Sequence, residues 1–464
     1  MPVQAEDARK GLGLRKVGRD AGQTMAVEIW SISLGLALSI LLARTLGPEG
    51  NGLYALALLL PTTMAQMLNL GVAPANIYYV GRGEISLSRA MKTTTWFGII
   101  LGLVGLVMAP LIVHYRGAQW FPGVPSSLML LAFAAYPIGL FQAYYITLLT
   151  AVKDFRRFNR TLAVMPTVTI VLAALFIFPL GMGVAGAVLA YLLGQGAGTI
   201  MSRISLNVHL KAAEDSDDGE GWWEYGQRCI RYGWKAHLSN ILAYVNYRAD
   251  VFLVNFFLNP ALVGIYFVAV QVAERLWLPS KVLSTVLLPR MAEMHATSDT
   301  REITPLMSRL VLWGTVIICL LVAAVATPVI RLLFGEAYLA SIPPLLWLLP
   351  GIALASSSRI VANDFAARGR PEWNSWLSAA VLGVNIITNI VLIPRWGLNG
   401  AAIATTISYV FNMVVKTIIY SRVTKSPWYD QVVPRAEDFR LLATGVALAK
   451  DMVLRRLRRD SQDR

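Results

Sequence analysis

Long apolar blocks alternate with short polar connections along most of the chain. A helix that crosses a membrane needs about 20 consecutive, mostly apolar residues, and twelve stretches have that size. The predicted spans are 22–43, 52–80, 93–115, 125–152, 161–180, 183–202, 236–257, 263–287, 310–330, 341–366, 373–394 and 397–421. The pattern therefore predicts an all-α polytopic membrane protein whose activity lies within or between its membrane helices.

The composition supports this interpretation. Hydrophobic residues make up 56% of the 464 residues and charged residues 15%, whereas a soluble domain has about 45–50% apolar and about 25% charged residues. A water-soluble enzyme and a disordered chain are both excluded. The two cysteines, Cys229 and Cys319, are too few for a disulfide framework.

Lysine and arginine are distributed unequally between alternate connections. One set of connections carries only Arg44, Arg116, Arg331 and Arg395, whereas the other set, with both termini, carries 32 of the 41 basic residues. By the positive-inside rule, both termini are predicted to be cytoplasmic. The same bias faces the anionic lipids of the cytoplasmic leaflet, so the net charge of +14 requires no nucleic acid.

The predicted organisation has five parts. They are a cytoplasmic N-terminal segment (1–21), an N-lobe of six spans (22–202), a cytoplasmic linker (203–235), a C-lobe of six spans (236–421) and a basic cytoplasmic tail (422–464). The linker contains a short acidic run and is interpreted as solvated surface. The tail has apolar residues at near-helical spacing among arginines, which favours an amphipathic helix on the inner leaflet over a disordered basic tail.

Two sequence pairs predict that the lobes are an internal repeat. Leu46-Gly47-Pro48 with Gly52-Leu53-Tyr54 corresponds to Leu258-Asn259-Pro260 with Gly264-Ile265-Tyr266 at an offset of 212 residues, and Gly183–Ala190 corresponds to Gly397–Ala404 at an offset of 214. Because each repeat has an even number of spans, both lobes begin on the same side. Parallel repeats of this kind are typical of transporters with a substrate path between two lobes.

Several of these motifs resemble a known family. Arg44–Tyr54, Val263–Tyr266, Ala367–Arg370 and Trp396–Ala402 are similar to segments of the polysaccharide exporters and O-antigen flippases of the multidrug/oligosaccharidyl-lipid/polysaccharide (MOP) superfamily. The resemblance covers roughly residues 20–425. It implies a MATE-like fold and a transporter, not an enzyme, that needs no cofactor.

The resemblance also implies a substrate and a location. Family members move a lipid-linked oligosaccharide, usually on a polyprenyl pyrophosphate, from the cytoplasmic to the outer leaflet for surface polysaccharide biosynthesis. We therefore expect this lipid-linked oligosaccharide and anionic membrane lipids as partners, H⁺ or Na⁺ as the coupling ion or the membrane potential alone as the driving force, and the bacterial inner membrane as the location.

Charged residues inside the predicted spans are the candidate site residues, because an ionisable group is costly in the bilayer. We expect Arg248, Arg275 and Arg359 to line a cavity and bind the anionic headgroup, since a guanidinium offers forked hydrogen bonds to phosphate. The acids Glu28, Asp250 and Glu274 are expected to compensate charge or couple an ion. The structural alternative is that acids and bases of neighbouring helices pair and tie those helices together.

Two other functions stay open at this point. A drug or cation antiporter of the same superfamily is the alternative, although a cationic substrate favours an acid-rich pocket and the deep charges here are mixed. A membrane glycan polymerase or ligase is disfavoured because the longest outward loop, 116–124, is short. The four histidines have no pair at metal-ligand spacing, so no metal site is predicted.

Overall fold

The computed structural model describes residues 2–212, 221–278, 280, 281, 303–435 and 438. Helices account for most of this part of the chain. They are α1 (Pro2–Leu68), α2 (Val72–Gly81), α3 (Leu87–Ile112), α4 (Ser126–Ala132), α5 (Ala135–Ala151), α6 (Phe155–Ile177), α7 (Gly183–Ala212), α8 (Trp222–Phe257), α9 (Pro260–Arg275), α10 (Ile303–Leu333), α11 (Ile342–Ala367) and α12 (Pro371–Thr424). A π-helical turn, Val113–Gly117, continues α3.

Eight helical segments of the described chain are long and apolar enough to cross a membrane. Two of them, Gly22–Leu68 and Glu372–Thr424, are 47 and 53 residues long, about twice the length that one crossing requires. Each is divided by a glycine with non-helical backbone angles, Gly47 in α1 and Gly397 in α12. The first predicted span therefore lies in the part of α1 before Gly47. The eleventh and twelfth predicted spans lie in α12, before and after Gly397.

The break in α1 follows from two adjacent residues. Gly47 has φ 66°, a left-handed backbone conformation that residues with a Cβ rarely adopt. Pro48 follows, and proline is favoured at the first position of a new helix because it has no backbone N–H to satisfy. Gly183 and Gly397, the first residues of the second repeat pair, have φ 54° and 56°, so this pair shares a backbone conformation as well as a sequence.

The second predicted span is interrupted, which corrects the expectation of one helix over 52–80. The helix ends at Leu68, and α2 begins at Val72. Leu70 and Gly71 between them have φ 53° and 72°. The Asn69 side chain stabilises the turn, since its Oδ1 accepts a hydrogen bond from the Gly71 N–H at 3.1 Å.

The helices next to the predicted linker are longer than the apolar pattern indicated. Residues 203–212 continue α7, and 222–235 form the first turns of α8. Tyr225 and Cys229 of this stretch are fully buried, whereas Trp223 and Trp234 are exposed, so 222–235 is a helix with one buried face and not a fully solvated loop. The acidic run at 213–220 and the predicted tail helix beyond 438 lie outside the described residues.

The chain divides into two compact units. The first comprises Met1–Phe267 with Leu333–Ala337, and the second comprises Val268–Leu332 with Tyr338–Arg464. Buried side chains of α2, α3, α5 and α8 form one core of the first unit, and side chains of α1, α4, α5 and α7 form another. In the second unit, α11 and α12 pack around Phe365 and Tyr420. The predicted division at 203–235 into two six-span lobes stays a prediction.

Candidate functional site

A cavity of about 280 Å³ lies inside the first unit. Its wall is formed by the second half of α1, by α7, by α8 and by the middle of α9. The lining residues are Tyr54, Ala55, Leu58, Leu59, Thr62, Tyr191, Tyr244, Arg248, Val251 and Phe267. Arg248 is the one charged residue among them, so the cavity is an apolar and aromatic chamber with a single cationic group.

Tyrosine hydroxyls supply most of the remaining polarity of the cavity. Tyr54, Tyr191 and Tyr244 each contribute a ring and a hydroxyl to the wall. The Tyr244 hydroxyl donates to Thr62 Oγ1 at 3.4 Å, which links α8 to α1. Aromatic faces beside a guanidinium can contact both the sugar and the phosphate of a glycolipid headgroup.

Asp250 lies near Arg248 in the sequence but does not line the cavity. Residues two apart on a helix do not share a face, and Asp250 is 4% exposed. Its Oδ2 accepts a hydrogen bond from the Tyr266 hydroxyl at 2.8 Å. This bond ties α8 to α9, and the role of Asp250 in charge compensation or ion coupling stays a prediction.

Glu274 and Arg275 lie at the C-terminal end of α9, in the second unit. The sequence predicted a continuous span over 263–287, but the helix ends at Arg275. Arg275 donates from Nη2 to Gln271 Oε1 at 3.4 Å. Its Nε is buried and makes no hydrogen bond to any described residue, which leaves a donor of this guanidinium available to a ligand.

A second cationic cluster lies between α11, α12 and the turn after α9. The Arg359 guanidinium stands 5.6 Å from the ring centroid of Trp277, and Trp277 contacts Tyr409 edge to face. The Lys416 ammonium donates to the carbonyl and the hydroxyl oxygen of Ser358 at 3.3 and 3.1 Å. Two cations and two aromatic rings are thereby brought together within the second unit.

Lys416, which lies inside the twelfth predicted span, has no role among the candidates selected from the sequence. It is 8% exposed, and a buried lysine in a membrane helix is a functional candidate by the same rule that selected the arginines. Glu28 lies in the first half of α1, partly buried and outside the cavity lining. Arg248 belongs to the first unit and Arg275 and Arg359 to the second, so one cavity shared by all three stays a prediction.

A family model decides the classification of the chain. The model of the family described as polysaccharide biosynthesis protein matches residues 41–343. The chain belongs to this family. The resemblance noted from the sequence motifs is thereby confirmed, and the family member is a multi-pass membrane protein.

Named relatives of this family member are transporters and flippases. It is 23% identical to a putative O-antigen transporter of Shigella flexneri, over 82% of its own chain and 92% of that relative. It is 22% identical to Agl15, a probable low-salt glycan biosynthesis flippase of Haloferax volcanii, over 38% of each chain. Three of the curated relatives, including Agl15, are matched over only 26–39% of their length.

Solved structures of the superfamily share the fold of this family member. The inward closed conformation of the lipid II flippase MurJ superimposes with a TM-score of 0.69 at 16% identity, over 88% of both chains. An inward-facing multidrug resistance transporter of the MATE family gives a TM-score of 0.67 at 18% identity, over 88% of this chain and 99% of the other. The expected all-α, MATE-like fold is confirmed, whereas the count of twelve spans and the repeat stay predictions.

Proposed function

We propose that this family member is a flippase. It moves a lipid-linked oligosaccharide, a glycan on polyprenyl pyrophosphate, from the cytoplasmic to the outer leaflet of the bacterial inner membrane by alternating access. The observation that carries this proposal is the single charged residue, Arg248, in the wall of an apolar and aromatic cavity. The O-antigen and glycan transport functions named for its relatives support the same substrate class.

The chemistry of Arg248 fits a pyrophosphate. A guanidinium presents a planar fork of N–H donors that matches two phosphate oxygens, and it stays charged at any physiological pH. The surrounding apolar wall lowers the local dielectric constant and so strengthens its attraction for an anion. The cavity of about 280 Å³ lies at the lower end of the range for ligand pockets, which suits the headgroup and not the whole glycan.

The cations of the second unit contribute to the same task in this proposal. Arg275 keeps a buried Nε donor without a protein partner among the described residues, and Arg359 lies beside Lys416 and an indole face. We propose that they bind the headgroup at a different stage of the transport cycle from Arg248. Glu28, Asp250 and Glu274 then balance the cationic charge when no substrate is bound.

The proposal is tested by flipping of a fluorescent polyprenyl-pyrophosphate oligosaccharide in proteoliposomes. A hydrogen bond to a charged group contributes about 1.5–3 kcal/mol, so Arg248→Ala should lower the initial rate at subsaturating substrate by about 10- to 150-fold. Arg248→Lys keeps the charge but loses the forked pair of donors. Its initial rate should lie between the rates of the wild type and of Arg248→Ala. Arg116→Ala is the matched control, because Arg116 lies exposed after α3 and its removal changes the net charge equally.

The result also separates this function from cation antiport. If the wild-type protein leaves the glycolipid in place and exchanges a cationic dye for protons, the flippase proposal is wrong and the antiporter takes its place. Equal rates for the wild type, Arg248→Ala and Arg116→Ala would remove Arg248 from the substrate path while leaving the flippase intact.

The energy source is tested in the same vesicles. An anion that leaves a negative-inside cell gains about 2.3 kcal/mol per charge for each 100 mV, so the membrane potential alone can drive outward movement. Alternatively, H⁺ or Na⁺ couples through Glu28, Asp250 or Glu274. Loss of transport when only the pH gradient is collapsed, with the potential clamped, would exclude the potential-only drive.

A further inference from the structure

A second cavity of the first unit shares no lining residue with the cavity that contains Arg248. It is a groove of about 550 Å³ between the N-terminal end of α6 and the C-terminal half of α7. Both helices are long and apolar enough to cross a membrane. Arg157 and Arg160 lie at the N-terminal end of α6, so this end of the groove is expected near a membrane boundary.

One part of the groove is apolar. Ile200, Ile204 and Val208 line it at a spacing of four residues, which places them along one face of α7. Their side chains are 61%, 61% and 48% exposed. At a rise of about 1.5 Å per residue this stripe is roughly 12 Å long, enough to contact a substantial part of an extended acyl chain.

The other part of the groove is cationic. Arg160 is exposed and makes no hydrogen bond or ion pair with any described residue. Arg157 lies beside it and pairs with Asp154 at 2.5 Å. Since the Asp154 carboxylate pairs with Arg157 and with His209, it does not neutralise Arg160, and the end of the groove keeps a positive charge.

A serine adds a hydroxyl to the lining of the groove. Ser205 lines the groove with only 7% of its surface exposed, and its side chain makes no hydrogen bond within the described part of the chain. This hydroxyl keeps some accessible surface and can therefore bond to a ligand in the groove. The groove thus offers two guanidinium groups and one hydroxyl next to an apolar stripe.

We propose that this groove binds one anionic phospholipid of the surrounding membrane. The phosphate accepts hydrogen bonds from Arg157, Arg160 and Ser205, and one acyl chain lies along Ile200, Ile204 and Val208. Charge complementarity selects an anionic over a zwitterionic headgroup, and the apolar stripe selects a lipid over a soluble phosphate. This site is separate from the proposed transport cavity and does not depend on the proposed function.

Native mass spectrometry of the purified full chain tests the headgroup. Dioleoyl phosphatidylglycerol should remain bound at detergent concentrations that remove dioleoyl phosphatidylcholine, and Arg160→Ala should weaken its binding about tenfold. Arg156→Ala is the matched control, because Arg156 is an exposed arginine of the same helix that does not line the groove. Equal weakening by the two substitutions, or equal retention of the two lipids, would show diffuse surface charge and overturn the proposal.

A second pair of variants tests the apolar stripe. Ile204→Glu places a carboxylate in the groove and should reduce phosphatidylglycerol binding at least as much as Arg160→Ala. Leu193→Glu is the control, since Leu193 is an exposed apolar residue of α7 outside the groove. Unchanged binding in Ile204→Glu would overturn the acyl-chain contact, and a preference for polyprenyl phosphate over both phospholipids would overturn the choice of ligand.

Discussion

The close crossing of α1 and α9 gives the sharpest stability prediction. Gly52 and Gly264, which correspond in the two sequence repeats, face each other's helices there. A Cβ added at Gly52 would lie 1.8 Å from the carbonyl oxygen of Pro260, and one added at Gly264 would lie 1.9 Å from that of Pro48. The Asn51 side chain donates to the Gly264 carbonyl at 3.4 Å, so the contact is both close and hydrogen-bonded.

The magnitude for Gly52→Ala follows from these distances. Ordinary van der Waals contact begins at 3.4 Å, so the two backbones must separate by about 1.6 Å more to admit the methyl group. Neither neighbour is a flexible side chain that can turn away. Overpacking of this kind costs about 1–3 kcal/mol or more, against a gain of about 1 kcal/mol in helix propensity. We expect a net loss.

Gly35→Ala is the matched control. Gly35 lies in the first half of α1, and a Cβ there meets nothing within 4 Å. This variant receives the propensity gain of up to about 1 kcal/mol without the collision. The two variants should therefore differ by the overpacking cost alone, about 1–3 kcal/mol or more in the free energy of unfolding.

The assay is thermal unfolding in detergent, followed by tryptophan fluorescence at one scan rate, because membrane proteins commonly unfold irreversibly. Gly52→Ala should have the lower apparent Tm and Gly35→Ala a Tm at or above that of the wild type. The double variant Gly52→Ala/Gly264→Ala should lose less than the sum of the single losses, since one separation admits both methyl groups. An apparent Tm for Gly52→Ala equal to that of Gly35→Ala would refute the close crossing.

Three further predictions concern polar contacts. Tyr266→Phe removes the hydroxyl that donates to buried Asp250 and should cost about 1.5–3 kcal/mol in chemical unfolding. Arg309→Ala leaves the carboxylate of Asp438, 1% exposed, without its 2.8 Å partner; it should cost about 3–5 kcal/mol in the same assay, with partial recovery on adding Asp438→Asn. Burial raises the pKa of Asp154, but hydrogen bonds from an arginine and a histidine outweigh it and hold the pKa below 3.8. The contribution of Asp154 to the free energy of unfolding is therefore fully present above pH 3.8 and is lost as the pH falls through the folded-state pKa. Asp154→Asn should consequently make stability depend less on pH in the acid range.

The sequence predicted those features that depend on apolar length and on charge. Most apolar blocks are helices, and the Gly47-Pro48 pair marks a break because glycine supplies the left-handed conformation and proline begins the next helix. Arg248 was selected as a costly charge inside a span, and the structure places it in a cavity wall. Both predictions depend only on residues within one segment of the chain.

Features that depend on contacts between distant segments were missed. The turn at residues 69–71 lies inside an apolar run, where hydropathy gives no signal. It requires both the Asn69 side chain and a close approach to α8, since a Cβ at Gly71 would lie 2.7 Å from the backbone of Gly233. The same contact buries the start of α8, which its charged residues had marked as a solvated linker.

Packing also explains how charged residues are accommodated at the start of α8. Arg228 lies over the ring of Tyr79 with its guanidinium carbon 4.4 Å from the ring centroid. The hydroxyl of fully buried Tyr225 donates to Asn76 Oδ1 at 3.0 Å. Arginine beside an aromatic face keeps a favourable electrostatic contact without leaving the helix surface, so a high local charge does not identify a loop here.

The two segments that the sequence predicts to be a repeat share a close helix contact but differ in their polar chemistry. Gly52 and Gly264 occupy equivalent places in one crossing because only glycine allows the backbones to approach so closely. The tyrosines two residues further on have diverged: Tyr54 lines the cavity, whereas Tyr266 donates to Asp250. Arg248 and Asp250 have leucines at the corresponding first-repeat positions, 212 residues earlier. An anionic group that enters this cavity therefore meets one guanidinium, which α8 alone supplies.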